Sequence, residues 1–241
     1  MKKSIGCLII LVSFSCALSN EEISLDGNEV LSKSILTHDP NDKWKELEMN
    51  IHIQEPRTGN PSRYSIVKMN NMDQSFELIR NRENHLSKHV IDKNGISKVY
   101  LDDKEEIAPE LIEKYRLNPE RNTRYKDFYK MLYGLPMSLN TESINQFGEV
   151  ESSIYNNQDC YKIPIELKQE MFSKNWIIYI SKTEFEFKGM EIVFPENKTK
   201  GERLFFDGSI SIKGVKVPRI RHWYELADNS YSGSDIIIGE L

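Results

Sequence analysis

From Trp44 onward the chain alternates. Leu47, Met49, Ile51 and Ile53 take every second position, and Glu46, Glu48, Asn50, His52 and Gln54 fall between them. That period of two marks a strand with one buried and one wet face. Residues 56–61, bounded by Pro56 and Pro61, read as a turn, and 64–69 as the returning strand. Short strands follow at 76–82, 86–92 and 96–102, with Asn70-Asn71 and Asn94-Gly95 as hairpin turns, so the first half reads as an antiparallel meander. Ahead of it, residues 28–38 carry Val30, Ile35 and Leu36 on a sparse helical face. Asp39-Pro40-Asn41-Asp42 stops that helix, with the Asp39 side chain placed to cap backbone groups.

The period changes in the middle of the chain. Tyr125, Phe128, Tyr129 and Leu132 stand at i, i+3, i+4 and i+7, one apolar stripe on a helix, and Tyr133 extends it. Pro136 cannot continue the helix, and Gly134 is expected to cap it in the left-handed conformation. A preceding helix opens at Pro109, with Leu111, Ile112 and Tyr115 on one side, and Asn118-Pro119 starts the aromatic one. So much aromatic surface on one helix requires a sheet to press against.

Beyond Pro136 the strand pattern resumes at 149–155, 161–167 and 175–181. Trp176 to Ile180 are apolar on both parities, which predicts cover on both faces. Phe185 and Phe187 share a phase that Met190, Ile192 and Phe194 do not, so a bulge or sharp bend is predicted at Gly189. Leu204, Phe206, Ile210 and Ile212 form a further strand, interrupted by Gly208. Lys213-Gly214 is a tight hairpin into 215–226, and 231–238 is expected to close the sheet.

Composition narrows the class. The chain has 241 residues, 39% hydrophobic and 29% charged, and a formal net charge of -5. That is a foldable chain with no basic cluster able to track a phosphate backbone, which argues against nucleic acid as a partner. Lys2-Lys3, the apolar run 5–14 and Ala17-Leu18-Ser19 have the form of a cleavable export leader, 1–19, ahead of a single domain, 20–241. Ser15-Cys16 offers a second ending, lipidation at Cys16, which is the one route to membrane attachment; Ser13 stands where such motifs carry Leu. Cys160 is then the one cysteine certain to remain, so the fold stands without an internal disulfide.

Particular residues also carry a resemblance. His38-Asp39-Pro40 with Trp44, the run Phe128-Tyr129 through Leu132-Tyr133-Gly134-Leu135-Pro136-Met137, and Gly214-Val215-Lys216-Val217-Pro218 with Trp223-Tyr224 resemble a family of exported proteins of Bacteroidota built on a domain of unknown function. More distantly, strands, helical plug and strands in that order are similar to the lipoprotein-carrier fold of LolA and LolB, as is the late pairing of Phe205-Phe206 with Gly214 and Pro218. The resemblance implies an α+β fold: a large curved antiparallel sheet, an incomplete barrel, with two or three helices plugging its concave face. In that fold acyl chains are held against internal helices, and no catalytic residues carry over.

Candidate chemistry is thin. His85 and His89, four apart on a strand, do not converge on a metal and read as solvated. His38-Asp39 is better explained by the turn than by proton transfer. Cys160, beside Asp159, reads as a buried structural thiol, and Glu184 and Glu186 as a wet strand face. Arg219, Arg221 and Trp223 share one side of a strand, and Ile220, His222 and Tyr224 the other; basic groups there would suit an anionic headgroup, but a solvated outer face is the favoured reading. No nucleophile elbow, phosphate loop, dinucleotide fingerprint or cofactor motif is present.

The expectation is therefore an exported, non-catalytic binding protein of the periplasm or outer membrane, without a cofactor. Its ligand would be a lipid or acyl chain lying between helix and sheet. Tyr125, Phe128, Tyr129, Leu132 and Tyr133 would line one wall, and Met49, Ile51, Ile178 and Ile220 the other. The alternative is an envelope scaffold with a filled core that binds other envelope proteins; a hydrolase with an unrecognised site is the third.

Overall fold

The computed structural model describes residues 25–140, 142–197 and 199–240; the expected leader, its cleavage site and Cys16 lie outside the described residues. Among the described residues one antiparallel sheet of 13 strands organises the fold, with three α-helices. The chain opens with α1 (Gly27–His38), whose cap is reciprocal: the Asp26 carboxylate accepts from the Glu29 amide, and Glu29 from the Asp26 amide. A single 3-10 turn, Trp44–Glu46, leads into the meander β1 (Glu48–Arg57), β2 (Asn60–Asn70), β3 (Phe76–Arg82), β4 (His85–Ile91) and β5 (Ser97–Leu101). Helices α2 (Pro109–Tyr115) and α3 (Arg121–Tyr133) follow. The chain continues through β6 (Ile144–Phe147), β7 (Glu151–Tyr155), β8 (Gln158–Met171), β9 (Ser173–Ser181), β10 (Phe187–Val193), β11 (Gly201–Ile212), β12 (Val215–Glu225) and β13 (Tyr231–Glu240).

The spatial order is β5-β4-β3-β2-β1-β13-β12-β11-β10-β9-β8-β6, with β7 also on β8. The last strand is thus not an edge. It lies between β1 and β12 and zips the two halves together, with Arg57 opposite Gly233 on one side and Trp223 opposite Gly233 on the other. The sheet runs from β5 to β6 without those two pairing, so it stays open.

Alternation sets the inner face as expected. Met49, Ile51, Ile53, Val67, Leu78, Ile163, Ile178 and Val217 are fully or almost fully buried in one core with Val30 and Leu31 of α1 and Tyr129, Leu132 and Tyr133 of α3. α1 packs on β9 and β12 and α3 on β2 and β4, so the two helices divide the inner face between them. A second cluster of Val99, Leu101, Tyr115 and Leu117 seats α2 at the β5 end.

The phase slip predicted at Gly189 is a bulge: the β9–β10 register shifts between Phe187 and Gly189. A Cβ on Gly189 would fall 2.2 Å from the Leu204 carbonyl oxygen and 2.5 Å from the Tyr155 ring. Tyr155 belongs to the outer layer that covers β9 from behind, stacked on Tyr179 at 3.6 Å beside buried Cys160. That layer is the second cover the doubly apolar run 176–180 requires. Lys213 and Gly214 both have positive φ, 49° and 92°, as a two-residue hairpin demands.

Gly134 departs from expectation. Its φ is -96°, so it is no left-handed cap. It is a glycine because Trp44 lies against its Cα, where a Cβ would sit 2.3 Å from Cζ2 of the indole.

Candidate functional site

Ends of β1–β3, β8 and β11–β13 and the first half of α3 line a cleft of about 810 Å³. β1 and β2 bring Glu55, Arg57 and Arg63 to it, and β3 brings Arg80. The β8–β9 turn brings Met171 and Phe172, β10 is followed there by Phe194, and β11 to β13 bring Glu202, Trp223, Glu225 and Asp235. Arg116, at the left-handed C-cap of α2, and Arg121, Arg124, Tyr125, Phe128 and Tyr129 of α3 close the other side.

The floor is an ion network centred on Glu55, which is only 4% exposed. Its carboxylate accepts from Arg63 at 3.2 Å, from Arg80 and Arg57 at 3.4 Å each, and from the Ser65 hydroxyl at 2.5 Å. Burial alone would raise the Glu55 carboxyl; Arg80, Arg63, Ser65 and Arg57 together outweigh it and hold it below the usual range. Arg80 also donates to the Tyr129 hydroxyl, and Arg57 to Asp235, whose other oxygen accepts from the Trp223 indole at 2.9 Å. Burial pushes the Tyr129 phenol up to about 12, so it stays a neutral donor and acceptor.

The upper wall is less compensated. Glu202 and Glu225 are cross-strand partners on β11 and β12. Burial, then Glu225 and Asp235, push the Glu202 carboxyl up to about 7, against the pull of Arg57. Phe128 meets Phe172 edge to face at 5.7 Å, so the aromatic helix and the β8–β9 turn touch across the cleft.

The residues expected at a ligand site divide into three groups. Tyr125, Phe128 and Tyr129 do border the cleft. Leu132, Tyr133, Met49, Ile51 and Ile178 are packed in the core beneath it, each no more than 1% exposed. Ile220 lies on the opposite face, because its partners Asp207 and Ile236 share the outer parity while Arg221 and Trp223 point inward. The expectation of a solvated face around Arg221 is corrected with it. Arg221 is fully buried, its guanidinium 4.0 Å from the Tyr133 ring, donating to the Leu132 and Pro218 carbonyls. Arg219 is exposed.

Four further residues resolve. His89 is not solvated: it is fully buried on β4, with Nδ1 2.8 Å from Asn122 Oδ1. His38 accepts from the Phe187 amide through Nε2 and donates through Nδ1 to the Lys216 carbonyl, which fixes it as a buried neutral ring. Asp39 accepts from the Lys43 and Trp44 amides, the capping role read for it in the turn. Cys160 is a free, buried thiol, pushed up by burial. Among the described residues no group of three or more His, Cys, Asp or Glu side chains is placed to hold a metal, and no helix is long and apolar enough to cross a membrane.

Glu55, Arg80 and Arg63 were not legible as a site from local motifs, although a signal exists. Extending the inward parity of Met49, Ile51 and Ile53 arrives at Glu55, and that of Phe76 and Leu78 arrives at Arg80. Charged residues at inward positions near strand ends mark where the core gives way to the cleft.

Comparison with known proteins agrees with this architecture. The model of a family of unknown function, DUF6503, matches residues 2–240. Among solved structures, a LolA superfamily protein from Nitrosomonas europaea is similar with a TM-score of 0.50 at 8% identity, over 90% of this chain and 93% of that one. A domain ascribed to outer membrane lipoprotein sorting in Vibrio parahaemolyticus is similar with a TM-score of 0.51 at 9% identity, over 88% and 90%. At such identities the likeness is one of fold.

Proposed function

This chain belongs to the DUF6503 family, and from that premise we propose that it is a non-catalytic binding protein whose rim cleft takes an amphipathic molecule in the cell envelope. The observation that carries the reading is the cleft itself. Its volume of about 810 Å³ falls in the range of small-molecule sites, and Phe128, Phe172, Met171, Phe194 and Trp223 give it an apolar wall beside its charges. Arginines and carboxylates make up more than half of the lining, so a bare acyl chain is a poor occupant and a molecule with a charged head a good one.

The LolA-like fold and the lipoprotein-sorting neighbour support an envelope setting, in line with the leader read in the sequence. The groups that most resembled catalytic candidates are occupied structurally: both His38 nitrogens are hydrogen-bonded to backbone, and the Cys160 thiol sits behind the sheet with Tyr155 and Tyr179.

The test is a melting series on delipidated protein with fatty acids and single-chain phospholipids below their micellar concentrations. A ligand that binds the folded state raises the melting temperature progressively with concentration. Phe128→Ala is expected to reduce that rise while the apoprotein still melts cooperatively. No shift with any amphiphile overturns the reading, and the scaffold alternative then takes its place.

A further inference from the structure

The charges of the cleft are sorted by position and left apart. On the β2–β4 side stand Arg116, Arg121 and Arg124, next to Tyr125, whose ring is 4.8 Å from His89 on β4. On β11 and β12 stand Glu202 and Glu225. Among the described residues none of these five side chains forms an ion pair, although every other charged residue of the Glu55 floor does. Glu202 and Glu225 lie on β11 and β12, whereas the three arginines stand on α2 and α3, and α3 packs on β2 and β4. No ion pair joins them among the described residues, and both sets line one cleft.

Three guanidiniums and two carboxylates thus line one cleft without a counter-ion among the described residues. The carboxylate pair is also short of cation. Glu202 faces Glu225 directly across the strands, Asp235 lies near, and the nearest arginine, Arg57, is already held by Asp235 and by the Ser234 carbonyl at 2.5 Å. Asp127 of α3 and Glu170 of β8 complete the charged lining. The apolar wall of Met171, Phe172 and Phe194 then continues the sheet beyond β11. Along the sheet the acidic pair of β12 and β11 is followed by the apolar wall, and the three arginines stand on α2 and α3.

We infer that the occupant is a zwitterionic amphiphile of the phosphoethanolamine class, its phosphate held by Arg116, Arg121 and Arg124 and its primary ammonium by Glu202 and Glu225. The inference rests on the cleft being the binding site proposed above. A planar guanidinium set suits phosphate oxygens, and an ammonium donates to more than one carboxylate at once. The acyl chain lies along Met171, Phe172 and Phe194. A quaternary head cannot donate hydrogen bonds to the carboxylates, and a lipid phosphate without an amine lacks the cation altogether.

Titration calorimetry on the delipidated protein separates the possibilities, with four probes of one acyl length where a chain is present: lysophosphatidylethanolamine, lysophosphatidylcholine, lysophosphatidic acid and free O-phosphoethanolamine. Lysophosphatidylethanolamine is expected to bind at least about tenfold more tightly than the other two lipids, as fits loss of a charge-assisted hydrogen bond. Free phosphoethanolamine is expected to bind more weakly still; equal affinity for it would move the ligand from the lipid to the soluble head and overturn the amphiphile. Glu202→Gln with Glu225→Gln is expected to abolish the ethanolamine preference and leave lysophosphatidic acid binding unchanged or tighter. Arg121→Gln with Arg124→Gln is expected to weaken all phosphate-bearing probes alike. If lysophosphatidic acid equals lysophosphatidylethanolamine and the acidic pair has no effect, the zwitterion is overturned while the cleft reading stands. If no probe binds, both fall.

Discussion

Gly134 lies so close to Trp44 that a single added carbon would sit 2.3 Å from Cζ2 and 2.4 Å from Cη2 of the indole. The end of the aromatic helix is thereby fitted to a residue that precedes the first strand. Lys130's carbonyl oxygen lies 2.5 Å from the same point, so the added carbon would meet backbone as well as indole. Overpacking of this kind costs about 1–3 kcal/mol. Gly134→Ala is expected to lower the denaturation midpoint accordingly, and Trp44→Leu to be less harmful in that background than alone. Additive effects in the double-mutant cycle would show that the two residues do not meet.

Glu55 is the second point of leverage. It is the carboxylate shared by Arg57, Arg63 and Arg80, and Arg80 is itself only 6% exposed. Removing the charge leaves a buried guanidinium without its counter-ion, which costs about 3–5 kcal/mol. Glu55→Gln should show a loss of that order in urea denaturation, and Glu55→Met with Arg80→Met should recover much of it. A single-mutant loss under about 1 kcal/mol, the range of exposed pairs, would mean that water already screens the network.

His89 sets an acid limit on stability. Asn122 donates through its amide nitrogen to the Val90 and Lys98 carbonyls, so its oxygen is left to accept from His89 Nδ1, and His89 Nε2 has no partner among the described residues. Burial first, then Arg82 and Arg80, push the ring down to about 4 against the pull of Asn122. The unfolded chain therefore takes up the proton before the folded one does. Stability is present above about pH 6.5 and falls as pH drops toward 4, by about 3 kcal/mol from this ring alone; His38, also lowered by burial, acts in the same direction. Glu202 opposes them. Its folded value is raised to about 7, with Glu225, Asp235 and Arg57 facing it, so its contribution is present at low pH and lost as pH rises through about 7. Stability measured from pH 7.5 to 4 should fall less steeply in His89→Gln and more steeply in Glu202→Gln than in the wild type. An unchanged slope in His89→Gln would place the imidazole in contact with water.

Periodicity alone located most of the strands and helices and most of the facing, though not β6 (Ile144–Phe147). A side-chain period of two cannot slip without turning every residue over, so Met49, Ile51 and Ile53 had to point together, the slip at Gly189 had to be a bulge, and Lys213-Gly214 had to be a hairpin. The same rule makes Arg221 and Trp223 face inward once Val215 and Val217 do, which puts Ile220 outside. What periodicity does not carry is the identity of the neighbour. It cannot show that Gly134 is a glycine on account of Trp44, that His89 is sealed beneath Tyr125 and Asn122, or that Glu55 gathers arginines from three strands. Those relations depend on β13 joining the two halves and on α3 lying across β2 and β4. The cleft belongs to the same class. It is made of strand ends that are remote in sequence, and it exists because inward positions carry charge where the apolar core stops, a boundary set by how the helices fill the sheet.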